Sequence, residues 1–372
     1  MTPRERIQTA LRGETPDVLP VHESFWDGLI NDWRDQGMPE MVSVEDFFGF
    51  DITHMSIDAS PRFEQRILDR SDGMITFQDR TGCSLRKEEK RSSTIQFFDH
   101  LTQDRSFWEA EVRPRLFLSD DPREPARIDE ASYFAHFDPY PTWEEAARKF
   151  QRLRATDRYM LFVVYGPWEA NWRHRGMESL LMDLALEPDW VRAMADAHIR
   201  LVIDVLRRCL DTGMKPDGLF LVEDLGATRS LLFSVRNWRE VLKPAMETLG
   251  TFLRENGIAF WMHSCGAVEA LIDDLIACGV QVLNPLQVDA GMDIRRLYEL
   301  YRGRLAFYGN ISVRRMIEGG PGLLEELRTK VPLATRGGFV FHSDHSIPPQ
   351  VSFERYSRML STAREIFEVS RK

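Results

Sequence analysis

Short apolar runs alternate with longer amphipathic segments over most of the chain. In the second half the runs are rich in β-branched and aromatic residues, and a segment with helical periodicity follows each of them. Two weaker runs, 17–22 and 51–57, come earlier. Together the runs predict eight strands, near residues 18, 51, 159, 218, 258, 280, 305 and 337.

Strands that alternate with helices pair in parallel through right-handed crossovers. Eight such units predict an α/β fold, a closed (β/α)8 TIM barrel, with its active site at the carboxyl ends of the strands. The rival arrangement is an open doubly wound sheet. Such a sheet would usually carry a glycine-rich phosphate turn after an early strand, and none is present in this sequence.

The amino terminus predicts a helix over residues 1–16. Thr2 can cap this helix, Pro3 suits its first turn, and Glu5 completes a capping box. The segment lacks the apolar core of a secretory signal.

Residues 62–98 interrupt the alternation. Short β-rich segments and turns such as Ser71-Asp72-Gly73 predict an inserted β-hairpin or meander. Residues 104–154 are predicted as mainly helical, with proline-rich links. We expect the whole chain, 1–372, to form a single barrel domain.

Composition limits the expected binding partners and the expected cellular location of the protein. The 372 residues are 28% charged with a formal net charge of −10, and no run of Lys or Arg stands out, so nucleic acid is not an expected partner. The chain has no 18-residue apolar run, so no membrane span is expected. Its four cysteines show no disulfide-framework spacing, which predicts a reduced, cytoplasmic protein.

Side chains that can act as acids, bases or ligands gather at the predicted strand ends, as a barrel active site requires. In chain order these are His22, Glu23, Tyr165, Trp168, Glu169, Glu223, Asp224, His263, Cys265, Asn284, Gln287, Asn310, His342, Asp344 and His345.

His263 and Cys265 form the most informative pair. Residues i and i+2 of a strand point to the same side, so an imidazole and a thiolate would share one space beyond the strand end. Both are zinc ligands. His345, or alternatively His342, could supply a third ligand, and Glu223 a hydrogen bond or an exchangeable fourth. Taken singly, each of these residues also fits an ordinary polar strand end or, for the cysteine, a small buried side chain.

Several segments resemble uroporphyrinogen decarboxylase and its relatives. These segments are MTPRERIQTALRGETPDVLPV, YGPWE near residue 166, HSCG, YGNIS near 309 and FHSDHSIPP near 342. The resemblance spans nearly the whole chain in order and implies a (β/α)8 barrel. Relatives in the decarboxylase branch are dimers, so a homodimer is one option that the resemblance raises.

Two branches of this superfamily differ in their chemistry. True decarboxylases carry an arginine-bearing segment just after the first strand, where this chain reads VHESFWDG, 21–28. Without those arginines the bidentate carboxylate clamps are missing. The second branch contains zinc-dependent methyltransferases that work with corrinoid proteins and carry an HxC pair on the fifth strand. The pair of His263 and Cys265 resembles it, and His345 stands where a third ligand, usually Cys, would be.

The second branch implies the leading hypothesis. It is a zinc-dependent methyltransferase that moves a methyl group between a small O-methyl, N-methyl or thiol substrate and a corrinoid on a partner protein. Glu223, His22 and Tyr165 are its expected catalytic side chains. The substrate-binding residues expected to line the pocket are Glu23, Trp26, Trp168, Glu169, Gln287, Asn310 and Asp344.

Two other hypotheses remain at this point. A metal-free lyase, decarboxylating a carboxylated substrate, would need cationic groups at the mouth, for which Arg173, Arg175, Arg229 and Arg314 are available. A non-catalytic protein that binds a small ligand or a partner barrel would show no turnover.

Overall fold

Eight short segments form a ring of parallel strands. The computed structural model describes residues 1–26, 28–89, 94–121, 123–129 and 139–372. The regular strands of the ring are β2 (Ile52–Ile57), β3 (Tyr159–Tyr165), β4 (Gly218–Val222), β5 (Ala259–Ser264), β6 (Val282–Pro285), β7 (Ala306–Tyr308) and β8 (Phe339–Val340). The eighth member, β1 (20–22), is an irregular extended segment with a single bridge at Val21. From β2 to β8 each strand pairs in parallel with the next one along the chain.

The irregular segment β1 closes the ring. Val21 forms a parallel bridge to Phe341, just beyond β8. On its other side the Val21 carbonyl accepts a hydrogen bond of 2.8 Å from the Asp51 amide, just before β2. The eight-stranded barrel predicted from the sequence is confirmed.

A two-residue strand, Ile128–Asp129, pairs antiparallel with the carboxyl end of β2 at Ile57 and Ser56. It occupies the edge of β2 that faces β1, so the two strands meet only at their amino ends. The strand was not predicted, because residues 104–154 read as mainly helical. Within that range, residues 122 and 130–138 lie outside the described part of the chain.

Helices surround the ring. The α-helices longer than three residues are Pro3–Leu11, Leu29–Asp35, Val44–Phe48, Trp143–Arg154, Pro167–Arg175, Met177–Leu186, Pro188–Asp211, Lys243–Glu255, Ile272–Ala277, Ile294–Tyr301, Val313–Glu318, Pro321–Lys330 and Phe353–Arg371. Among the described residues, no helix combines the length and the apolar character that crossing a membrane requires.

Strand alternation divides the core into two layers. On β4, Phe220 points into the barrel, whereas Leu219 and Leu221 pack toward the helices. On β5, Trp261 is an inward residue, and Phe260 faces outward. This parity decides which polar residues reach the barrel mouth.

The amino-terminal helix, Pro3–Leu11, covers the amino end of the barrel. Thr2 and Glu5 form the predicted capping box, and Pro3 occupies the first turn. Ile7 is fully buried with the inward-facing residues of the strands. The opposite end of the barrel, where the strands finish, is therefore the end that remains available for a site.

The predicted insertion is confirmed as a meander. It contains four antiparallel strands: Arg66–Ser71, Met74–Gln78, Cys83–Glu88 and Gln96–His100. Residues 90–93 of the predicted span lie outside the described residues. The insertion packs on the helix that follows β3, where His100 Nδ1 lies 2.7 Å from the Arg173 carbonyl.

Candidate metal centre

Three ligand-type side chains converge at the carboxyl ends of β4 and β5. Cys265 Sγ lies 3.4 Å from His263 Nε2, and His263 Nε2 lies 3.4 Å from Asp224 Oδ1. Candidate ligand atoms of these three residues all fall within 4.8 Å of one another. The loop after β8 brings a fourth residue to the group, since His345 Nε2 lies 3.8 Å from Cys265 Sγ.

These spacings fit a tetrahedral zinc ion. Zinc bonds of about 2.0–2.3 Å at tetrahedral angles place neighbouring donor atoms about 3.4–3.6 Å apart. The distances from His263 Nε2 to Cys265 Sγ and to Asp224 Oδ1 meet this requirement, and the distance to His345 lies slightly above it. One sulfur, two nitrogens and one oxygen are also donors that zinc accepts. The residues present therefore fit the metal.

Parity and backbone packing position the ligands. His263 and Cys265 continue the inward-facing series of β5, and Asp224 continues that of β4. Gly266 and Gly226 then let the two ligand-bearing loops touch backbone to backbone. A Cβ on Gly266, which has a φ of +84°, would lie 2.3 Å from the Gly226 carbonyl carbon. Larger residues would separate the loops and, with them, the ligands.

Electrostatics favours the thiolate that a metal needs. Burial would raise the pKa of Cys265, but the adjacent His263 outweighs it and lowers the pKa below its ordinary value. Burial would likewise lower the pKa of His263, but Cys265 and Asp224 hold it well above its usual range. The nearby Asp344 carboxylate, together with Cys265, raises the pKa of His345 to about 10. A cation would take the place of these shared protons.

Neighbouring residues orient the ligands. His263 Nδ1 donates a 2.6 Å hydrogen bond to Asn284 Oδ1. The lone pair of Nε2 is therefore available to coordinate a metal. Gln287 accepts a 2.8 Å hydrogen bond from the Gly266 amide. Asp344, which lies 3.7 Å from His345 Nδ1, also accepts a 2.8 Å hydrogen bond from a backbone amide. Gln287 and Asp344, expected as pocket residues, thus support the ligand loops.

Glu223 does not take the place predicted for it. Its carboxylate accepts backbone hydrogen bonds of 2.9 Å from both Trp168 and Glu169, at the start of the helix Pro167–Arg175. Burial raises its pKa well above the ordinary value. The side chain also packs against Gly166, where an added Cβ would lie 2.3 Å from the carboxylate oxygen.

The carboxylate that lies beside His263 and Cys265 is instead that of Asp224, which the sequence predicts only as a strand-end residue. The sequence gives the alternation of side chains along β4, but the barrel decides which side of β4 faces inward. Glu223 continues the outward parity of Leu219 and Leu221, and Asp224 continues the inward parity of Phe220.

His342 is also placed apart from the ligand group. It contacts Glu23 and Ser24 at the end of β1, at 3.2 Å and 3.0 Å from Nε2. His22 Nδ1 bonds to the Tyr308 hydroxyl. Glu23, Ser24 and His342 therefore form a polar group separate from the candidate ligands, with the His22 ring stacked 6.4 Å from that of His342.

The other expected site residues have diverse surroundings. The Arg173 guanidinium lies 4.1 Å over the Tyr165 ring, and Glu169 pairs with Arg173 at 2.8 Å. Tyr165 and Arg173 line a cavity between the ends of β2 and β3 and the insertion. Trp168 is fully buried against Phe233, with ring centroids 4.7 Å apart.

Two expected pocket residues lie in contrasting environments. Trp26 is 37% exposed. Asn310 is fully buried, and its amide nitrogen donates to two backbone carbonyls of the loop after β6. That placement gives Asn310 a loop-bracing position rather than a pocket-lining one.

The arginines available to a metal-free lyase are mostly engaged. Arg173 is buried with Glu169, Arg175 bonds to Asp183 at 2.7 Å, and Arg314 lies 3.1 Å from Asp289. Arg229 is exposed.

Comparison with known proteins places this architecture in a family. A search of curated proteins finds no significant match. Among solved structures, a methyltransferase from Methanosarcina mazei superposes with a TM-score of 0.67 at 16% identity, and the match covers 99% of each chain. The D-psicose 3-epimerase of Clostridium cellulolyticum H10 matches with a TM-score of 0.37 at 11% identity, over 61% of this chain and 83% of that one. The family model for uroporphyrinogen decarboxylase (URO-D) matches residues 119–366, and the chain therefore belongs to the URO-D family.

Proposed function

We propose that this protein is a zinc-dependent methyltransferase. It moves a methyl group between a small O-methyl, N-methyl or thiol substrate and a corrinoid carried by a partner protein. The observation that carries the proposal is the convergence of Asp224, His263 and Cys265, with His345 3.8 Å from the cysteine sulfur. The similarity in fold to a methyltransferase from Methanosarcina mazei supports it.

His263, Cys265 and His345 would hold the zinc, with Asp224 as the exchangeable fourth ligand. Asp224 suits exchange because its Oδ1 already has a second partner, the Cys265 amide, at 2.7 Å. Bound zinc supplies a Lewis acid, which withdraws charge from a methylated oxygen or nitrogen and so eases the departure of a poor leaving group. Two neutral imidazoles leave the site less negative than a thiolate-rich one.

The partner must reach the barrel mouth. A corrinoid is too large to be enclosed within the barrel, so we propose that a separate corrinoid protein docks over the carboxyl ends of the strands. All four cysteines are free thiols, in keeping with our proposal of a reducing, cytoplasmic setting. The single-domain organisation and a homodimer remain predictions.

Metal analysis of the purified protein tests the centre. We expect about one zinc per chain, lost in Cys265→Ser and kept in the matched control Cys278→Ala, whose thiol is buried outside the site. A zinc content far below one per chain that does not respond to Cys265→Ser would contradict the proposal.

Methyl transfer tests the reaction. Free cob(I)alamin serves as the acceptor, with a panel of O-methyl and N-methyl donors, and its methylation is followed by absorbance. We expect turnover that a chelator abolishes and zinc restores. Release of carbon dioxide from a carboxylated substrate, insensitive to chelator, would instead indicate the metal-free lyase.

A further inference from the structure

A buried carboxyl group packs against the start of the loop after β8, the loop that also carries His345. The Glu23 side chain is fully buried, at 0% exposure, and its Oε1 lies 3.2 Å from His342 Nε2. Ser343 donates to Glu23 through both its hydroxyl, at 2.6 Å, and its backbone amide, at 3.2 Å. Among the described residues, the carboxyl is bonded to the His342 imidazole, the Ser343 hydroxyl and the Ser24 and Ser343 amides, and no Lys or Arg side chain pairs with it.

The tautomer of His342 makes it a proton acceptor toward Glu23. His342 Nδ1 lies 2.6 Å from the Ser343 carbonyl, so Nδ1 carries the hydrogen and donates it. Nε2 then presents a lone pair to both Glu23 and Ser24, whose hydroxyl lies 3.0 Å away. A single proton can therefore reside on the carboxyl or on the imidazole and be passed between them.

A row of hydroxyl groups leads from this pair to the loop that carries His345. Ser24 Oγ accepts a 3.3 Å hydrogen bond from Ser346 Oγ. Both serines are half-buried, unlike the enclosed Glu23 and His342. Ser346 directly follows His345 in the chain, so the far end of the row lies on the same loop as this proposed ligand.

We propose that Glu23 and His342 form a proton-holding pair that exchanges a proton with the substrate heteroatom, through the hydroxyls of Ser24 and Ser346. This role rests on the proposed methyl transfer, and it makes Glu23 the general acid for donors with poor leaving groups. It extends the substrate class to methyl compounds whose demethylated product is a strong base, such as alkoxides and amines.

The step balances as follows. The methyl group passes to the reduced corrinoid without the bonding electrons, and the heteroatom keeps the pair. The carboxyl O–H bond of Glu23 breaks, protons shift along His342, Ser24 and Ser346, and a new bond from hydrogen to the heteroatom forms. Glu23 is left as a carboxylate, which solvent reprotonates by the same row. In the reverse direction the carboxylate receives the proton of a substrate thiol or alcohol.

Other ionisable groups around the pair leave this proton in place. Burial raises the pKa of Glu23 to about 8, and the nearby Asp344 adds to the rise against the hydrogen bonds from Ser343. Burial also lowers the pKa of His342 to about 3. On the remaining sides, Tyr308 and Tyr356 are kept neutral by burial near Glu23, and burial lowers the pKa of His22 well below its usual value.

Infrared spectroscopy of the zinc-loaded protein tests the pair without any substrate. We expect a protonated-carboxyl C=O band at pH 7 that declines as the pH rises through about 8 and is absent in Glu23→Gln. Glu223→Gln serves as the control, because it should remove a different component. A spectrum in which no band titrates and Glu23→Gln changes nothing overturns the proposal.

Leaving-group dependence tests the proton transfer. Methyl ethers of phenols with graded acidity, and one alkyl methyl ether, are compared with free cob(I)alamin as acceptor. We expect Glu23→Gln and Ser24→Ala to slow the alkyl ether on the order of 100-fold and the most acidic phenol ether only slightly. Ser84→Ala, a buried serine of the insertion, is the matched control.

The outcomes separate the two proposals. An equal loss across the donors would mean that Glu23 has only a structural role, and would refute proton transfer. If the wild-type protein methylates cob(I)alamin from no donor, the proposed function fails, and the infrared titration still decides whether Glu23 holds a proton. Ser24→Ala keeps the test available should Glu23→Gln not fold.

Discussion

Two adjacent carboxylates of β4 allow a sharp test of the metal centre. Asp224→Asn and Glu223→Gln are size-matched changes with opposite expected outcomes. Asparagine can still accept the 2.7 Å hydrogen bond from the Cys265 amide. It removes, however, the negative charge 3.4 Å from His263 Nε2. We therefore expect Asp224→Asn to fold normally and to bind zinc weakly.

The magnitudes follow from the contacts. Loss of a metal-site partner costs about 10–100-fold in affinity. At saturating zinc, a 100-fold weaker site lowers the free energy of unfolding of the holoprotein by about 2.7 kcal/mol. Glu223→Gln keeps one acceptor for two backbone N–H groups and leaves the other N–H facing an amide. That change should cost about 1–3 kcal/mol with or without zinc.

The assay pairs a competition titration against a chromophoric chelator with denaturant unfolding at two zinc concentrations. Asp224→Asn should show a weaker zinc dissociation constant and a smaller zinc-dependent stabilisation. Glu223→Gln should retain the wild-type constant and lose stability in both conditions. A Glu223→Gln protein that loses zinc while Asp224→Asn binds it normally would refute the assignment.

Three further changes probe the surroundings of the site. Gly266→Ala should force the loops of Gly226 and Gly266 apart, because the added Cβ would lie 2.3 Å from the Gly226 carbonyl carbon. We therefore expect metal analysis to show a loss of zinc. A normal zinc content would argue against a close backbone contact. Asn284→Leu removes the 2.6 Å acceptor for His263 Nδ1 and should weaken zinc binding about 10–100-fold with little change in the circular dichroism spectrum, whereas unchanged affinity would exclude an orienting role. Burial lowers the pKa of His198 from 6.5 to about 4, so between these values only the unfolded chain binds the proton. The free energy of unfolding should therefore fall with decreasing pH by up to about 1.4 kcal/mol per pH unit from this residue, and His198→Gln should flatten that slope in urea titrations at pH 4 to 7.

The architecture was readable from the sequence because strand and helix periods differ. Every inner strand reads as a short apolar run, and the i, i+2 rule placed His263 and Cys265 side by side, as the 3.4 Å contact shows. The capping box of Thr2 and Glu5 was likewise local information. Such features need only a few neighbouring residues, so they can be predicted without tertiary structure.

Features that depend on distant contacts could not be read in this way. Ile128–Asp129 forms a strand only because the edge of β2 is open to it, and its own sequence has no strand period. Glu223 and Asp224 are equivalent in composition, and only the register of β4 inside the barrel separates them. Asn310 sits in a polar strand end, yet its partners come from the preceding loop.

The contact between β1 and β8 links metal binding to the stability of the barrel. Their backbone pairing is limited to the bridge between Val21 and Phe341 and, beyond the strands, a second bridge between Phe25 and Ile347. His345 lies between the two bridged residues Phe341 and Ile347, whereas Cys265 follows β5, three strands away from β8 around the ring. An ion bound by both His345 and Cys265 would cross-link the barrel across this sparsely paired contact. Amide hydrogen exchange in residues 20–26 and 341–347 should then be slower when the ion is bound than when it is absent.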